Sequence, residues 1–235
     1  MSYDKERAAQ EFTRWSESYD RCILQWLLFG PSHRAIIRRI AARCGGGHLK
    51  ILDVGCGTGV FGARIRRALP RARVWGVDLV AGMLARGSER WRRHAGHLLP
   101  VQGDSERLPF ASGAFDVVTC ANSFHHYPRQ DRAVAEMHRV LRPGGLLILV
   151  DGYRDAPWGW FIYDVCVAAV EGAVHHASRR RVRELFAQAG FRDTAQKVYR
   201  GPAPFLMTEG VARPSAVPAP HFPVATSPLH LAAVR

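Results

Sequence analysis

Lysine is almost missing from this 235-residue chain: only Lys5, Lys50 and Lys197 occur, so arginine carries the net charge of +13. Acidic residues are few, 20 against 33 basic ones. Such an excess permits binding to nucleic acid or to an anionic membrane surface. The arginines are scattered, and their tightest clusters (Arg64-Arg66-Arg67, Arg90-Arg92-Arg93 and Arg179-Arg180-Arg181-Arg183) read as solvated helix faces. Cysteine is also sparse. Cys22, Cys44, Cys56, Cys120 and Cys166 are odd in number and lie far apart. With no C-x-x-C spacing, neither a zinc ribbon nor a disulfide framework is expected, and free thiols fit a reducing cytosol. No apolar run approaches the ~18 residues of a membrane span. Residues 1–10 are polar and charged, unlike a secretory signal, so a cytoplasmic location is expected.

What is present is a change of rhythm along the chain. Phe12, Trp15 and Tyr19 lie on one helix face, and an apolar helix follows from Cys22, with a break expected near Gly30-Pro31. Gly45-Gly46-Gly47 closes this helical preface, which sets a first unit at residues 1–47. Then short apolar strands (49–54, 73–77, 97–101, 114–120, 146–150) alternate with helices (58–69, 79–93, 131–141). That alternation predicts an α/β fold, a Rossmann-like doubly wound and mostly parallel sheet with both faces covered. Residues 158–170 read as a buried helix, 179–189 as an amphipathic one and 191–200 as a late strand, closing a domain at 48–200. Proline is dense from Gly201 onward and charge nearly absent, which predicts a poorly ordered tail over 201–235.

The chemistry concentrates after the first of these strands. Asp53-Val54-Gly55-Cys56-Gly57-Thr58-Gly59 is a glycine-rich turn entering a helix, where backbone N–H groups can approach a nucleotide-like ligand. Two readings stay open on residues alone. Gly57-Thr58-Gly59-Val60-Phe61-Gly62 satisfies the dinucleotide pattern, with Asp78 placed to grip a ribose, so an NAD(P)- or FAD-binding oxidoreductase fits. Against it, Asp53 and Gly55 precede the first glycine of that pattern, and a carboxylate sits awkwardly beside a pyrophosphate. The same carboxylate suits a ligand bearing an ammonium and a sulfonium.

The turn resembles motif I of the class I S-adenosylmethionine-dependent methyltransferases, and the resemblance continues in order. Gly76-Val77-Asp78-Leu79 with Met83-Leu84 is similar to the second motif, and the run from Gly103-Asp104-Ser105 to Leu108-Pro109-Phe110 to the third. Phe115-Asp116-Val117-Val118, Asn122-Ser123-Phe124-His125-His126-Tyr127 and the run from Glu136 to Gly145 resemble the fourth strand, its loop and the turn before strand five. Glu184-Leu185-Phe186-Ala187-Gln188-Ala189-Gly190-Phe191 resembles the late helix of the UbiE-type and related small-molecule branch. The proline-rich end departs from the family, in which a final β-hairpin closes the sheet.

The resemblance implies transfer of a methyl group from S-adenosylmethionine to a small-molecule acceptor. It implies that Gly55, Gly57 and Gly59 wrap the methionine part of the cofactor, that Asp53 holds its amino group and that Asp78 binds both ribose hydroxyls. Leu79 and Met83 would pack on the adenine, Asp104 and Ser105 would bind its edge, and Asn122 would line the same pocket. Trp15, Ser16 and Tyr19 resemble the helical lid that opens such chains, with Tyr19 over the cofactor. His125 and His126 would face the methyl, where an imidazole, titrating near neutrality, could act as a base. No third ligand accompanies them, so no metal is expected, and His175-His176 are expected on the surface. An RNA methyltransferase is disfavoured because no Asn/Asp-Pro-Pro-Tyr-like motif follows strand four.

Overall fold

A computed structural model describes residues 23–171 and 174–213. Seven strands form one sheet in the order β3-β2-β1-β4-β5-β7-β6. They are β1 (Lys50–Val54), β2 (Arg73–Asp78), β3 (Leu98–Gln102), β4 (Phe115–Ala121), β5 (Leu141–Gly152), β6 (Phe191–Tyr199) and β7 (Phe205–Ala212). The first five are parallel, and β7 enters antiparallel between β5 and β6. The chain order reverses between β1 and β4, so the carboxyl ends of these strands splay apart and open a crevice there.

Both faces of the sheet are covered, which is why its central strands read as unbroken apolar runs. Ile51, Val117 and Ile148 face one layer with α1 (Ile23–Cys44) and α2 (Val60–Ala68). Leu52, Val118 and Leu147 face the other, with α5 (Gln130–Val140) and α8 (Arg179–Gln188). Between β2 and β3 run α3 (Ala81–Arg86) and α4 (Ser88–Arg93). The stretch after β5 is helical over 157–171, as α6 (Pro157–Trp160), a π-helical turn (Phe161–Val167) and α7 (Ala168–Glu171).

Four expectations are corrected. The helix α1 runs unbroken through Gly30-Pro31. Proline removes one helical donor, but burial of Ile36 and Ile40, both fully inaccessible, fixes the following turns on the sheet. The single helix expected over 79–93 is split at Gly87, because Trp91 folds back to donate its indole N–H to the Leu84 carbonyl. A side chain at Gly87 would meet the Thr58 carbonyl oxygen at 2.4 Å. The helix at 157–171 is not buried: Trp158, Trp160, Phe161 and Val165 are exposed.

The fourth correction concerns the last unit. The tail expected from residue 201 contains β7, a central strand that pairs with both β5 and β6. Prolines flank this strand at 202, 204 and 214 and are absent within it, so density averaged over the region hid it. Its one charge, Glu209, is 3% exposed and is gripped by the Arg39 and Arg43 guanidinium groups of α1. The hairpin that closes the sheet is therefore present. Residues 214–235, and Trp15, Ser16 and Tyr19 of the expected lid, lie outside the described residues.

Candidate functional site

One crevice at the carboxyl ends of β1, β2 and β4 gathers most of the residues singled out above. Asp53, Gly55, Gly57, Asp78, Leu79, Met83, Asp104, Ser105, Asn122 and His126 all line it. Two do not. Gly59 caps α2 at φ 78°, and a Cβ there would lie 2.4 Å from the Trp91 ring, so this glycine shapes the turn from behind. His125 is buried and does not line the crevice.

The turn is drawn tight by backbone geometry. Gly55 and Gly57 have φ of 73° and 55°, the left-handed region, and a Cβ on Gly55 would meet the Ser123 hydroxyl at 2.3 Å. Asp78 ties the turn to β2: its Oδ2 accepts from the Gly57 N–H at 2.8 Å and its Oδ1 from the Val80 N–H at 2.9 Å. Asp104 has a similar local bond, accepting from the Glu106 N–H at 2.9 Å. Each Asp78 oxygen accepts one of the bonds above, and a carboxylate oxygen has two lone pairs. Leu79, at 40% exposed, presents an apolar edge to the crevice beside Met83.

Asp53 is the most informative group. It is 2% exposed; its Oδ1 accepts from the Thr119 hydroxyl at 3.0 Å, while its Oδ2 is buried with no hydrogen-bond partner among the described residues. Burial, only partly offset by Thr119, pushes its carboxyl up to about 7, and the neighbouring Asp78 pushes the same way. Burial also raises Asp78. Two carboxylates that burial pushes toward the neutral form face one crevice, with no cationic partner for either among the described residues. The arrangement fits a ligand that brings a positive charge and donor hydrogens, and disfavours a pyrophosphate.

The loop after β4 supplies the other wall. Asn122 sits at φ 56° and donates from its amide to the Ser32 hydroxyl of α1 at 3.0 Å. His126 lines the crevice as a neutral ring: burial, then the adjacent His125, lowers its pKa well below the usual histidine value. Behind it, His125 Nδ1 and Asp151 Oδ1 are 2.6 Å apart, and His176 stacks on His125 with ring centroids 4.4 Å apart. Burial pushes the Asp151 carboxyl up, but the charge and hydrogen bond of His125, with His176, outweigh it and hold it below the ordinary carboxylate value.

Sequence reasoning missed this cluster. His176 is 6% exposed and not on the surface, and ligand-type atoms of His125, Asp151 and His176 lie within 4.8 Å of one another. The usable signal was an acid at the end of strand five. It also missed Phe29 and His33, which enter the crevice from α1 one turn apart. His33 stacks on Phe61 at 4.4 Å, and burial, then Arg64, lowers its pKa to about 3.

Comparison with known proteins decides the family. A family model described as a methyltransferase domain matches residues 51–145. A ubiquinone/menaquinone biosynthesis C-methyltransferase UbiE from Cereibacter sphaeroides is 34% identical over 174 residues, covering 69% of this chain and 67% of that protein.

The chain belongs to the class I S-adenosylmethionine-dependent methyltransferases.

The UbiE protein of Bordetella parapertussis is 36% identical over 174 residues, 69% of this chain; the chain spans 65% of that relative's length. The fold is shared with magnesium protoporphyrin IX methyltransferase from Synechocystis PCC 6803, solved with bound SAH, at TM-score 0.74 and 16% identity over 90% of this chain and all of that one. The methyltransferase family, the mostly parallel Rossmann-like sheet and the S-adenosylmethionine cofactor expected from the motifs thus agree with these comparisons, and the oxidoreductase reading falls away. Among the described residues no helix is long and apolar enough to cross a membrane.

Proposed function

We propose that this methyltransferase transfers the methyl group of S-adenosylmethionine to a small, planar, apolar acceptor, with His126 taking the acceptor's proton. Asp53 Oδ2, beside Asp78 and without a partner among the described residues, carries the reading, because it asks for the ammonium that this cofactor bears. In it, Asp53 holds the amino group, Asp78 the ribose hydroxyls, Leu79 and Met83 the adenine faces, and Asp104 with Ser105 the adenine edge. Gly55 and Gly57 let the backbone come close. The cofactor supplies an electrophilic methyl on a sulfonium.

The chain's own residues do the rest. Alignment of the acceptor contributes much of the acceleration in an in-line displacement. Phe29, His33 and Phe61 offer flat surfaces on the α1 side, while Asn122, His126 and Pro128 line the loop side. Burial keeps His126 unprotonated at neutral pH, the form in which an imidazole accepts a proton. His125, anchored by Asp151, braces the loop from below. The crevice takes a small molecule more readily than a folded RNA. The lid role of Trp15, Ser16 and Tyr19 over the cofactor belongs to the same proposal, as does a cytoplasmic site of action. The named activity of the UbiE relatives suggests a ring of the quinol type as the acceptor.

Isothermal titration of the purified chain with S-adenosylmethionine, S-adenosylhomocysteine and NAD provides the test. Saturable binding of the first two alone is expected. Labelled methyl transfer to a short-chain demethylated quinol should follow, and NAD binding without S-adenosylmethionine binding overturns the reading.

A further inference from the structure

Large hydrophobic side chains exposed among the described residues are Leu79, which belongs to the cofactor crevice, and four on a single helical stretch. Trp158, Trp160, Phe161 and Val165 are 57%, 51%, 45% and 39% exposed, more than helices of soluble proteins ordinarily leave to water. Trp158, Phe161 and Val165 follow at i, i+3 and i+7, and the Trp158 and Phe161 rings lie 5.9 Å apart.

The other side of this helix is firmly used. Tyr163 covers Gly152, where a Cβ would lie 2.7 Å from its ring, and Gly159 abuts the Tyr153 carbonyl. Arg154 pairs with Asp164 at 2.9 Å. The helix is thus fastened to the end of β5, and its apolar side is left outward by construction. That end of β5 is also the end of the sheet where the crevice opens.

We propose that this helix docks the protein on an anionic lipid bilayer. Three observations select that occupant. Tryptophan, phenylalanine and valine beside arginine are the chemistry of the membrane interface, where amphipathic rings sit at headgroup level. Trp158 borders a groove shared with Tyr153, Arg179 and Arg200, so cationic groups rim the apolar patch. Its indole donates to the Pro202 carbonyl at 3.0 Å, which fixes the ring against that groove. Finally, the chain carries a net charge of +13. A second copy would bring the same charge to the interface, whereas an anionic bilayer brings the opposite one. Docking here would present the crevice to acceptors dissolved in lipid, yet the proposal stands apart from the activity, because lipid retention is read without turnover.

Cosedimentation of the full chain with unilamellar vesicles tests it. Vesicles of phosphatidylcholine with about a third phosphatidylglycerol should retain the protein, and pure phosphatidylcholine should do so at least ~5-fold more weakly. The double variant W158S/F161S should lose binding ~10-fold or more, the scale of one aromatic ring returned to water. R179A/R200A should lower binding to anionic vesicles alone. Both pairs lie at the surface, and an unchanged melting temperature reports intact folding. Blue-shifted tryptophan emission on vesicle addition should vanish in W158S/F161S. No retention at low salt overturns the proposal, as does retention that W158S/F161S leaves intact. A concentration-dependent dimer that these substitutions dissociate, with no vesicle binding, assigns the face to a second copy instead.

Discussion

The tips of β1 and β5 each end in a buried carboxylate, and the two are held in opposite states. Asp53 is raised to about 7 because burial outweighs its hydrogen bond from Thr119 and a second acid, Asp78, pushes the same way. Asp151 is held low because two imidazoles stand against it and one shares a 2.6 Å hydrogen bond. A carboxylate whose counter-charge is built into the protein is part of the scaffold. One with no counter-charge among the described residues is, on the function proposed above, the place for a ligand's charge. Equal burial at equivalent ends of a parallel sheet therefore says little; the partners decide the role.

Removing each carboxylate should separate the two tips most sharply. Asp53→Asn should weaken S-adenosylmethionine binding by about 3 kcal/mol or more, since truncating one member of a buried charge pair costs on the order of 2–5 kcal/mol. The same change should stabilise the unliganded protein. Asp53 has a folded pKa above its unfolded value, so the fold binds more protons than the unfolded chain and loses stability as pH rises from about 4 to about 7. The stability difference between Asp53→Asn and wild type should grow across that window, toward about 4 kcal/mol at most, in denaturant titrations at stepped pH. A flat difference would remove the claim that this carboxylate lacks a partner.

Asp151→Asn should act with the opposite sign. A depressed carboxylate contributes stability above its unfolded pKa and loses it only as pH falls through the folded one. At neutral pH this variant should cost about 3 kcal/mol, the scale of a broken buried ion pair. The cost should fade below about pH 4, in the usual carboxylate range. A variant as stable as wild type at pH 7 would mean that His125 and Asp151 are not coupled.

Between the tips, the proposed function puts His126, which lines the crevice, on the reacting side, and His125, bonded to Asp151, in the scaffold. His126→Ala should lower kcat by about 100-fold while S-adenosylhomocysteine affinity stays within a few-fold of wild type. Unchanged turnover in single-turnover assays would end its assignment as the base.

Those assignments were unequally legible in the sequence. The β1 tip was readable because its chemistry is local: Asp53, the glycines and the following helix fall within a dozen residues, and Asp78 ends the next strand. Contacts made by chain segments far apart left no such trace. Ser32 meets Asn122, His176 meets His125, and Arg39 meets Glu209 across 170 positions. Composition also misled twice. Proline density concealed β7, and the apolar run at 158–170 read as buried although only one of its sides meets the protein. Hydrophobic pattern reports which side chains avoid water somewhere, and not which surface they avoid it against.

The smallest expected effect asks whether Asp78 serves the ligand or merely the turn. Its two oxygens already accept from Gly57 and Val80, so it has a complete structural explanation without any ribose. Asp78→Ala should weaken cofactor binding by about 1.5 kcal/mol, the scale of a hydrogen bond to a charged group, but a loosened turn predicts a loss too. A double-mutant cycle with 2′-deoxy and 3′-deoxy S-adenosylhomocysteine separates the two. If Asp78 grips the ribose, the deoxy ligands bind wild type more weakly, and Asp78→Ala suffers no further penalty from them. If Asp78 only shapes the turn, the substitution and the missing hydroxyl act independently, and their effects add.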